Sequence, residues 1–306
     1  MQKYFIITVD TEGDNLWDYK DGDVVTTNNS KYIPRFQKLC EKYKFPPVYL
    51  SNYEMLCDDE YVSYIKKKHL QGLCEVGLHL HAWNNPPEYN LASIYGGNPY
   101  LIEYPDEVMH AKFDFLYNLF CEKMGFKPVS HRAGRWAMDD RYFKLLEEYG
   151  VVVDCSVTPH IDWSANKGAT CGGTDYSTFL ENPNWINRVF EIPPTIRFSY
   201  VPFAGGLRHK IKVMLCGTPL NFRLANASLK QMKYLINKLQ KESSTNYLEF
   251  MLHSSELMPG GSPYFENEKA IEDMYADLED MFLYLKTLGY VGCTLEEYYK
   301  KTNLNK

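Results

Sequence analysis

Short apolar runs alternate with amphipathic segments along most of this chain of 306 residues. Runs of four to eight apolar residues are typical of buried strands, and apolar residues at a spacing of three and four are typical of helices. Their regular alternation predicts an α/β protein with a parallel sheet. The predicted strands are 3–9, 47–50, 74–81, 128–132, 151–154 and 247–253, and the predicted helices are 31–44, 58–72, 105–124, 139–149, 228–242 and 266–288, with a closing strand and helix at 290–301.

Residues with a known preference for helix ends support these boundaries. Asn29 or Ser30 is expected to cap the first helix, Asp58 the second and Asp139 the fourth, because a short polar side chain can accept the free N–H groups of the first turn. Gly125 is expected to end the third helix, since glycine readily adopts the left-handed conformation found there.

Residues 156–225 interrupt the alternation. Glycine, asparagine and proline are dense in this segment, and no helical period persists. We expect long loops with short strands, inserted into a single domain that covers 1–306. The remaining strand–helix steps, about seven, suit a barrel or distorted barrel better than a minimal open sheet.

Composition narrows the class of protein. Apolar residues make up 45% and charged residues 24%, which is typical of a soluble globular protein. The formal net charge of −6 argues against a nucleic-acid partner. No apolar run approaches the roughly 20 residues of a transmembrane helix, so no transmembrane segment is predicted. Eight scattered cysteines and no recognisable signal peptide favour reduced thiols and a cytoplasmic location.

Ionisable residues gather at the predicted carboxyl ends of strands, where parallel barrels hold their catalytic groups. Asp10 and Glu12 end the first strand, and His79 and His81 end the third. A spacing of two residues on a strand directs both side chains to the same face. Other strand ends carry His131, Arg132, Asp154 and His253.

Two histidines and one carboxylate are a common ligand set in zinc hydrolases, which leave a further position for water. Glu12, His79 and His81 are therefore the expected ligands of a divalent cation. Zinc is the first candidate, and cobalt, nickel, manganese and iron suit the same ligands. Asp10 is the candidate general base and His253 the candidate general acid.

Two further residues are expected to support this acid–base pair. Arg132 can hold Asp10 in its ionised form by opposite charge. Asp154 is expected to orient Arg132 or His253 by a hydrogen bond, without contacting the metal or the substrate itself. A lone histidine at a strand end is more often structural than a ligand, and acidic residues after a strand commonly cap the next helix. The hypothesis therefore depends on the combination of these residues.

Three side chains are candidates for substrate contact. Trp83 follows the histidines and could form a wall of the cleft, or pack on the helix at 105–124. Arg135 and Trp136 lie just after the fourth strand, where a loop could contact a sugar. Packing of Trp136 in the core is the alternative.

Four segments occur in an order and spacing that resemble a known family. They are TVDTEG at 8–13, EVGLHLHAW at 75–83, HRAGRW at 131–136 and LHSSEL at 252–257. The chain resembles, over roughly 4–300, the polysaccharide deacetylases, which are the NodB-homology domains of carbohydrate-esterase family four. It is most similar to a subgroup linked to lipopolysaccharide and surface-polysaccharide biosynthesis. The resemblance implies a distorted (β/α)7 barrel and metal-dependent removal of an acyl group from an N-acylated sugar.

The resemblance also implies a role for each matched residue. Asp10 matches the base, His79 the first histidine ligand, Arg132 the arginine that orients the base, and His253 the acid. Glu12 takes the role of the metal-binding aspartate of the family, which usually follows the base directly.

The match departs from the family pattern at two ligands. Thr11 fills the usual place of the metal-binding aspartate, and the longer side chain of Glu12 is expected to compensate. The usual second histidine lies four residues after the first, where this chain has Trp83. His81 must substitute from a position two residues after His79.

The sequence therefore favours hydrolysis of an N-acetyl group on a glycan precursor. One alternative keeps the site and changes the bond, as in a deformylase or an amidase for another small molecule. A second alternative is a non-catalytic sugar-binding protein with a degenerate metal site.

Overall fold

The computed structural model of the protein describes residues 2–17, 19–20, 23–203, 205–242 and 245–303. The strands are β1 (Lys3–Thr11), β2 (Pro47–Ser51), β3 (Glu75–Leu80), β4 (Ser130–Ala133), β5 (Val153–Asp154), β6 (Asn184–Ile186), β7 (Val189–Glu191), β8 (Ile196–Ser199), β9 (Thr218–Asn221), β10 (Tyr247–His253) and β11 (Tyr290–Gly292). The helices are α1 (Ile33–Tyr43), α2 (Tyr53–Cys57), α3 (Asp59–Leu70), α4 (Asp106–Met124), α5 (Asp140–Tyr149), α6 (Leu207–Cys216), α7 (Leu229–Glu242), α8 (Glu268–Thr287) and α9 (Leu295–Asn303).

The main sheet has the strand order β10-β1-β2-β3-β4-β5-β7-β6, and β11 also pairs with β1. Its neighbouring strands are parallel except for β6 and β7, which are antiparallel. The sheet curls into a half-barrel, so the predicted α/β fold, a distorted (β/α)7 barrel, is confirmed. The central strands are buried along their length, as expected where helices cover a parallel sheet.

Thr195 lies where the barrel departs from regularity. Its N–H donates to the Glu249 carbonyl of β10 at 3.2 Å, and its hydroxyl accepts the Glu249 N–H at 2.9 Å. The chain then leaves the sheet in an antiparallel hairpin, β8–β9, with α6 between the two strands. At this point Thr195 contacts β10 through two hydrogen bonds and does not form a continuous pair of strands with it.

Most predicted helix ends are confirmed. Asp58 accepts the N–H groups of Glu60 and Tyr61, and Asp139 accepts that of Tyr142. The last helical residue of α4 is followed by Gly125 in the left-handed region, with φ of 79°.

The predicted cap of the first helix is wrong. A 3-10 turn at Asn28–Tyr32 precedes α1, which begins at Ile33 with Pro34 in its first turn. Asn29 faces inward instead. Its amide donates to the carbonyl of Glu12 and to the hydroxyl of Ser254, both at 2.8 Å. A residue predicted to cap a helix therefore fixes the loop that follows β1.

The segment 156–225 is more ordered than predicted. β7 extends the main sheet by pairing in parallel with β5. The ten-residue helix α6 was not predicted, because it lies between Gly206 and Gly217 and buries only Val213. A helix that packs so little leaves a weak core-facing pattern in the sequence. In the described part of the chain, no helix combines the length and apolar character needed to span a bilayer.

Candidate metal centre and active-site cleft

The register of the parallel strands brings the predicted site residues together at the carboxyl edge of the sheet. Asp10 of β1 lies opposite His253 of β10, and His79 of β3 lies opposite Arg132 of β4. Glu12 and the following loop are held by Ser254, whose hydroxyl accepts the Glu12 N–H at 3.1 Å. The two i, i+2 pairs, from β1 and β3, therefore face one another at the carboxyl edge of the sheet, on either side of β2.

Glu12, His79 and His81 form a cluster with metal-binding geometry. One ligand atom from each lies within 4.8 Å of the other two, and all three side chains are buried. The Glu12 Oε2 atom is 3.3 Å from His79 Nε2 and 3.1 Å from His81 Nε2. His81 thus points into the site, as the two-residue spacing requires.

The two histidine rings are fixed in different ways. The Nδ1–H of His79 donates to the Arg132 carbonyl at 2.9 Å, which leaves the Nε2 lone pair directed at the cluster. His81 stacks on Trp83, with ring centroids 4.4 Å apart. A Cβ at Gly134 would come within 2.3 Å of the His81 ring, so only glycine leaves room for it. His81 Nδ1 is buried without a hydrogen-bond partner among the described residues.

The charges in the cluster favour ionised carboxylates. Burial alone would raise the pKa of Asp10, but Arg132, His79 and His253 outweigh it and hold that pKa well below its usual range. Burial also opposes ionisation of Glu12, yet the neighbouring histidines, His81 foremost, lower its pKa.

The pKa values of the two histidines in the cluster are shifted in opposite directions. Burial lowers the pKa of His81 to about 3, so its ring is neutral, as a metal ligand must be. Burial would also lower the pKa of His79, but the carboxylates of Asp10 and Glu12 outweigh it and raise that pKa.

Arg132 is fully buried beneath the base. Its guanidinium donates to Asp10 Oδ1 and to Glu249 Oε1, each at 2.6 Å, and its Nε–H donates to the Cys155 carbonyl at 3.1 Å. The Trp136 ring lies 4.9 Å from the guanidinium carbon and covers it. The predicted pairing of Arg132 with Asp10 is thus present in the structure.

Asp154 does not make the predicted contact with Arg132 or His253. Its carboxylate accepts the Nδ1–H of His131 at 2.7 Å and the hydroxyl of Ser156 at 2.8 Å. Asp154 lies opposite His131 in the β4–β5 register, and adjacent residues of β4 point to opposite faces. The Asp154 side chain therefore lies on the opposite face of the sheet from Arg132. The prediction that Asp154 orients Arg132 or His253 is wrong.

Glu249 occupies the position expected for Asp154. Sequence reasoning missed it, although a lone glutamate in the apolar run of β10 is the kind of signal that marks a buried ion pair. Burial raises the pKa of Glu249 despite its contact with Arg132.

His253 lies above the two carboxylates. Its Nε2 is 3.8 Å from Asp10 Oδ2 and 3.8 Å from Glu12 Oε1. Arg223 donates to His253 Nδ1 at 2.7 Å and also pairs with Glu256. Because Nδ1 accepts a hydrogen bond, the neutral ring carries its proton on Nε2, the nitrogen that faces the cluster.

Two other residues near His253 were missed from the sequence. Arg223 lies in the segment predicted as loop, and nothing in its neighbourhood marks it as a partner of a residue 30 positions later. The Trp17 ring meets the His253 ring edge-on at 5.0 Å, and its indole N–H donates to Ser255 at 3.0 Å. Both side chains line the cleft above the cluster.

The cleft has a volume of about 570 Å³ and includes all three predicted contact residues. Arg135 lies over the Tyr100 ring at 4.1 Å and donates to the carbonyls of Asn98 and Lys167. Arg135 and Trp136 both have positive φ, 54° and 65°. Strained backbone of this kind is found where a loop is held for function. The aromatic side chains in the wall are Trp17, Trp83, Tyr100, Trp136, Trp163, Phe222 and Tyr264.

Comparison with known proteins identifies solved structures that share the fold of this chain. No protein-family model matches the chain, and no curated protein matches it. Among solved structures, a candidate polysaccharide deacetylase from Mycobacterium smegmatis is similar, with a TM-score of 0.55 and 13% identity over 100% of this chain and 92% of that one.

Two enzymes that act on glucans are similar to the same degree. For a 4-alpha-glucanotransferase from Thermococcus litoralis the TM-score is 0.58 at 13% identity, and for a GH57 branching enzyme from Thermococcus kodakaraensis it is 0.56 at 12%. Each match covers 98% of this chain, which spans 41% of the first enzyme and 71% of the second. At such identities the similarity establishes a shared fold, and the chemistry must be argued from the site.

Proposed function

We propose that this protein is a metal-dependent hydrolase of the polysaccharide deacetylase family, and that it removes an N-acetyl group from a sugar of a surface polysaccharide or its precursor. The observation that carries the proposal is the cluster of Glu12, His79 and His81 beside Asp10, whose carboxylate Arg132 keeps ionised. A cytoplasmic location and the link to lipopolysaccharide remain predictions.

The residues of the cluster fit a divalent cation. Two imidazole nitrogens and one carboxylate converge, and the His79 tautomer is already set by the Arg132 carbonyl. His81 presents a neutral ring. A bound cation would supply Lewis acidity and lower the pKa of a water that it holds. Zinc suits this set best, and cobalt, nickel, manganese or iron would also fit.

The chain's own groups can then manage the protons. Asp10 is ionised and open to the cleft, so it can accept a proton from the attacking water. His253 directs Nε2 toward the same carboxylates. With its ring protonated, and with Glu256 Oε1 3.4 Å from Nδ1, it can donate the Nε2 proton to the departing amine. Arg132 neither gives nor takes a proton, since its guanidinium stays charged. It holds Asp10 by one buried hydrogen bond and is itself anchored by a second one to Glu249.

The same observations argue against the glycosidase chemistry of the similar glucan enzymes. Glycoside hydrolysis needs one carboxylic acid in its protonated form beside a second carboxylate. Among the described residues that line the cleft, Asp10 and Glu12 are the acidic ones, and the pKa of each is lowered. Both would be ionised near neutral pH, which suits a metal ligand and a base.

The test uses purified protein loaded with zinc and a panel of N-acetyl and N-formyl sugars. We expect release of acetate from at least one N-acetyl sugar, and a loss of turnover of about 10²- to 10⁴-fold in D10N with metal content unchanged. Formate release alone would favour the deformylase alternative. If the protein binds no metal and releases no acid from any of the sugars, the result would contradict the proposal and favour the sugar-binding alternative.

A further inference from the structure

α6 exposes an apolar stripe to solvent. Of its ten residues only Val213 is buried. Leu207 and Leu215 are 74% and 76% exposed, and Ile211 and Met214 are exposed as well. Residues spaced by three, four and seven positions share one side of a helix. The four apolar side chains therefore form one continuous stripe on the outer side, opposite the buried residue.

Cations border this stripe on both sides. With about 3.6 residues per turn, Arg208 and Lys212 lie along one edge of the stripe and Lys210 along the other. All three are exposed. The segment 192–241 contains nine Lys and Arg residues and no Asp or Glu, although the whole chain has a formal charge of −6. The positive charge is thus concentrated around α6 and the segments that follow it.

We propose that α6 binds the surface of an anionic membrane. A helix that lies in a membrane interface has an apolar side that enters the region of the lipid headgroups, and Lys and Arg beside it. The long side chains of Arg208, Lys210 and Lys212 can lie along the apolar stripe and bring their charges to lipid phosphates. Exposed Tyr200 and Val201, just before the helix, extend the apolar surface.

A second copy of the chain fits this surface less well. In a two-fold dimer the same surface meets itself, so the cations of one copy would lie against the cations of the other. No acidic residue in 192–241 could neutralise the repulsion. A nucleic acid would use the cations and leave the apolar stripe in water. An anionic bilayer satisfies both features at once.

The helix is joined directly to the cleft. α6 connects β8 to β9, and the far ends of these strands, Ile196 and Asn221, line the cleft. Each strand has four residues, a length of roughly 13 Å. Binding through α6 would therefore bring the cleft close to a bilayer. That the substrate is a sugar attached to the membrane rests on the proposed function; the membrane binding itself does not.

The experiment is co-sedimentation of the full chain with vesicles of phosphatidylcholine, with or without one quarter phosphatidylglycerol. We expect binding to the anionic vesicles, little to the neutral ones, and a decrease with added salt. Two triple variants test the helix, L207Q/I211Q/L215Q and R208Q/K210Q/K212Q. Each of the three charges removed should weaken vesicle binding about fivefold, so R208Q/K210Q/K212Q should bind on the order of 100-fold more weakly than the wild type. Removing the apolar side chains should abolish binding.

Matched variants control for general effects of charge and hydrophobicity. The control variants alter exposed residues elsewhere, K31Q/K38Q/K67Q and L70Q/L283Q. Both should bind as the wild type does. Equal binding by the α6 variants, or no binding by the wild type, would overturn the proposal. A dimer in sedimentation velocity that L207Q/I211Q/L215Q dissociates would instead assign the surface to a second copy. Vesicle binding is measured without substrate, so its failure is distinguishable from failure of the deacetylase proposal.

Discussion

Glu75 is predicted to make the stability of the protein fall as the pH rises. It begins β3, where Ser130 donates to Oε1 at 2.5 Å and the N–H of Glu296, in the first turn of α9, donates to Oε2 at 2.8 Å. Burial nevertheless raises the pKa of Glu75 from 4.5 to about 7. A carboxyl group whose pKa is raised by folding stabilises the fold when protonated. That contribution is complete below the unfolded pKa and is lost as the pH rises through about 7.

The size of the effect follows from the two pKa values. Each pKa unit corresponds to about 1.4 kcal/mol, so the full loss is about 3 kcal/mol, of which about 2.5 kcal/mol falls between pH ~5 and ~8.5. E75Q is the variant of choice, because a glutamine can still accept from Glu296 and donate to the Ser130 hydroxyl. The free energy of unfolding should therefore be similar in the two proteins at the lower pH, and higher in E75Q by about 2.5 kcal/mol at the upper one.

The assay is urea denaturation of wild type and E75Q across this pH range, with the difference between them plotted against pH. Glu54, whose pKa burial also raises to about 7, contributes equally to both proteins and cancels in the difference. A difference that stays constant within about 0.5 kcal/mol would refute the reasoning. It would mean that the two hydrogen bonds keep the Glu75 carboxylate ionised in spite of burial.

Three further predictions concern the site. W83A should weaken metal affinity by roughly 10- to 100-fold in a competition titration, because the ring that orients His81 is lost, whereas W83F should retain most of it. R132M should lower the free energy of unfolding by about 3–5 kcal/mol in denaturant titrations, since two buried carboxylates lose their cation. R223Q should lower kcat with little change in KM and should alter the pH–rate profile, because His253 loses the charged donor to its Nδ1. Recovery of activity in R223K would show that Arg223 positions the His253 ring, since a general structural role would not be restored in this way.

The alternation of side chains on strands accounts for what could be predicted of the site. Asp10 with Glu12, and His79 with His81, lie on the same face because of local geometry alone. A strand end is also recognisable from the apolar run before it. No information about neighbouring strands was needed for these residues, and the structure brings them together.

The orienting residue could not be chosen from sequence, because that choice depends on register. Asp154 and Glu249 are both acidic residues in apolar strands, and the sequence does not show on which face of the sheet each side chain lies. The pairing of Asp154 with His131, rather than with Arg132, fixes its face. Glu249 then meets Arg132 across the barrel, 117 positions away in the chain. The contact of Arg223 with His253 arises in the same way, from an irregular segment that returns to the site.

The chain departs at two positions from the pattern of the family that its sequence resembles, and the structure relates the two departures. Moving the second histidine from four positions after His79 to two keeps both ligands on one side of an extended segment. Trp83 then occupies the place that the usual histidine has left, and its ring supports His81 by stacking. On β1 the same change occurs: Thr11 turns its hydroxyl to the backbone of Val9, and Glu12 reaches the cluster from the next position on the Asp10 face. Both halves of the candidate site thus use a spacing of two residues, and this spacing is what brings Glu12 and His81 to the same point as His79.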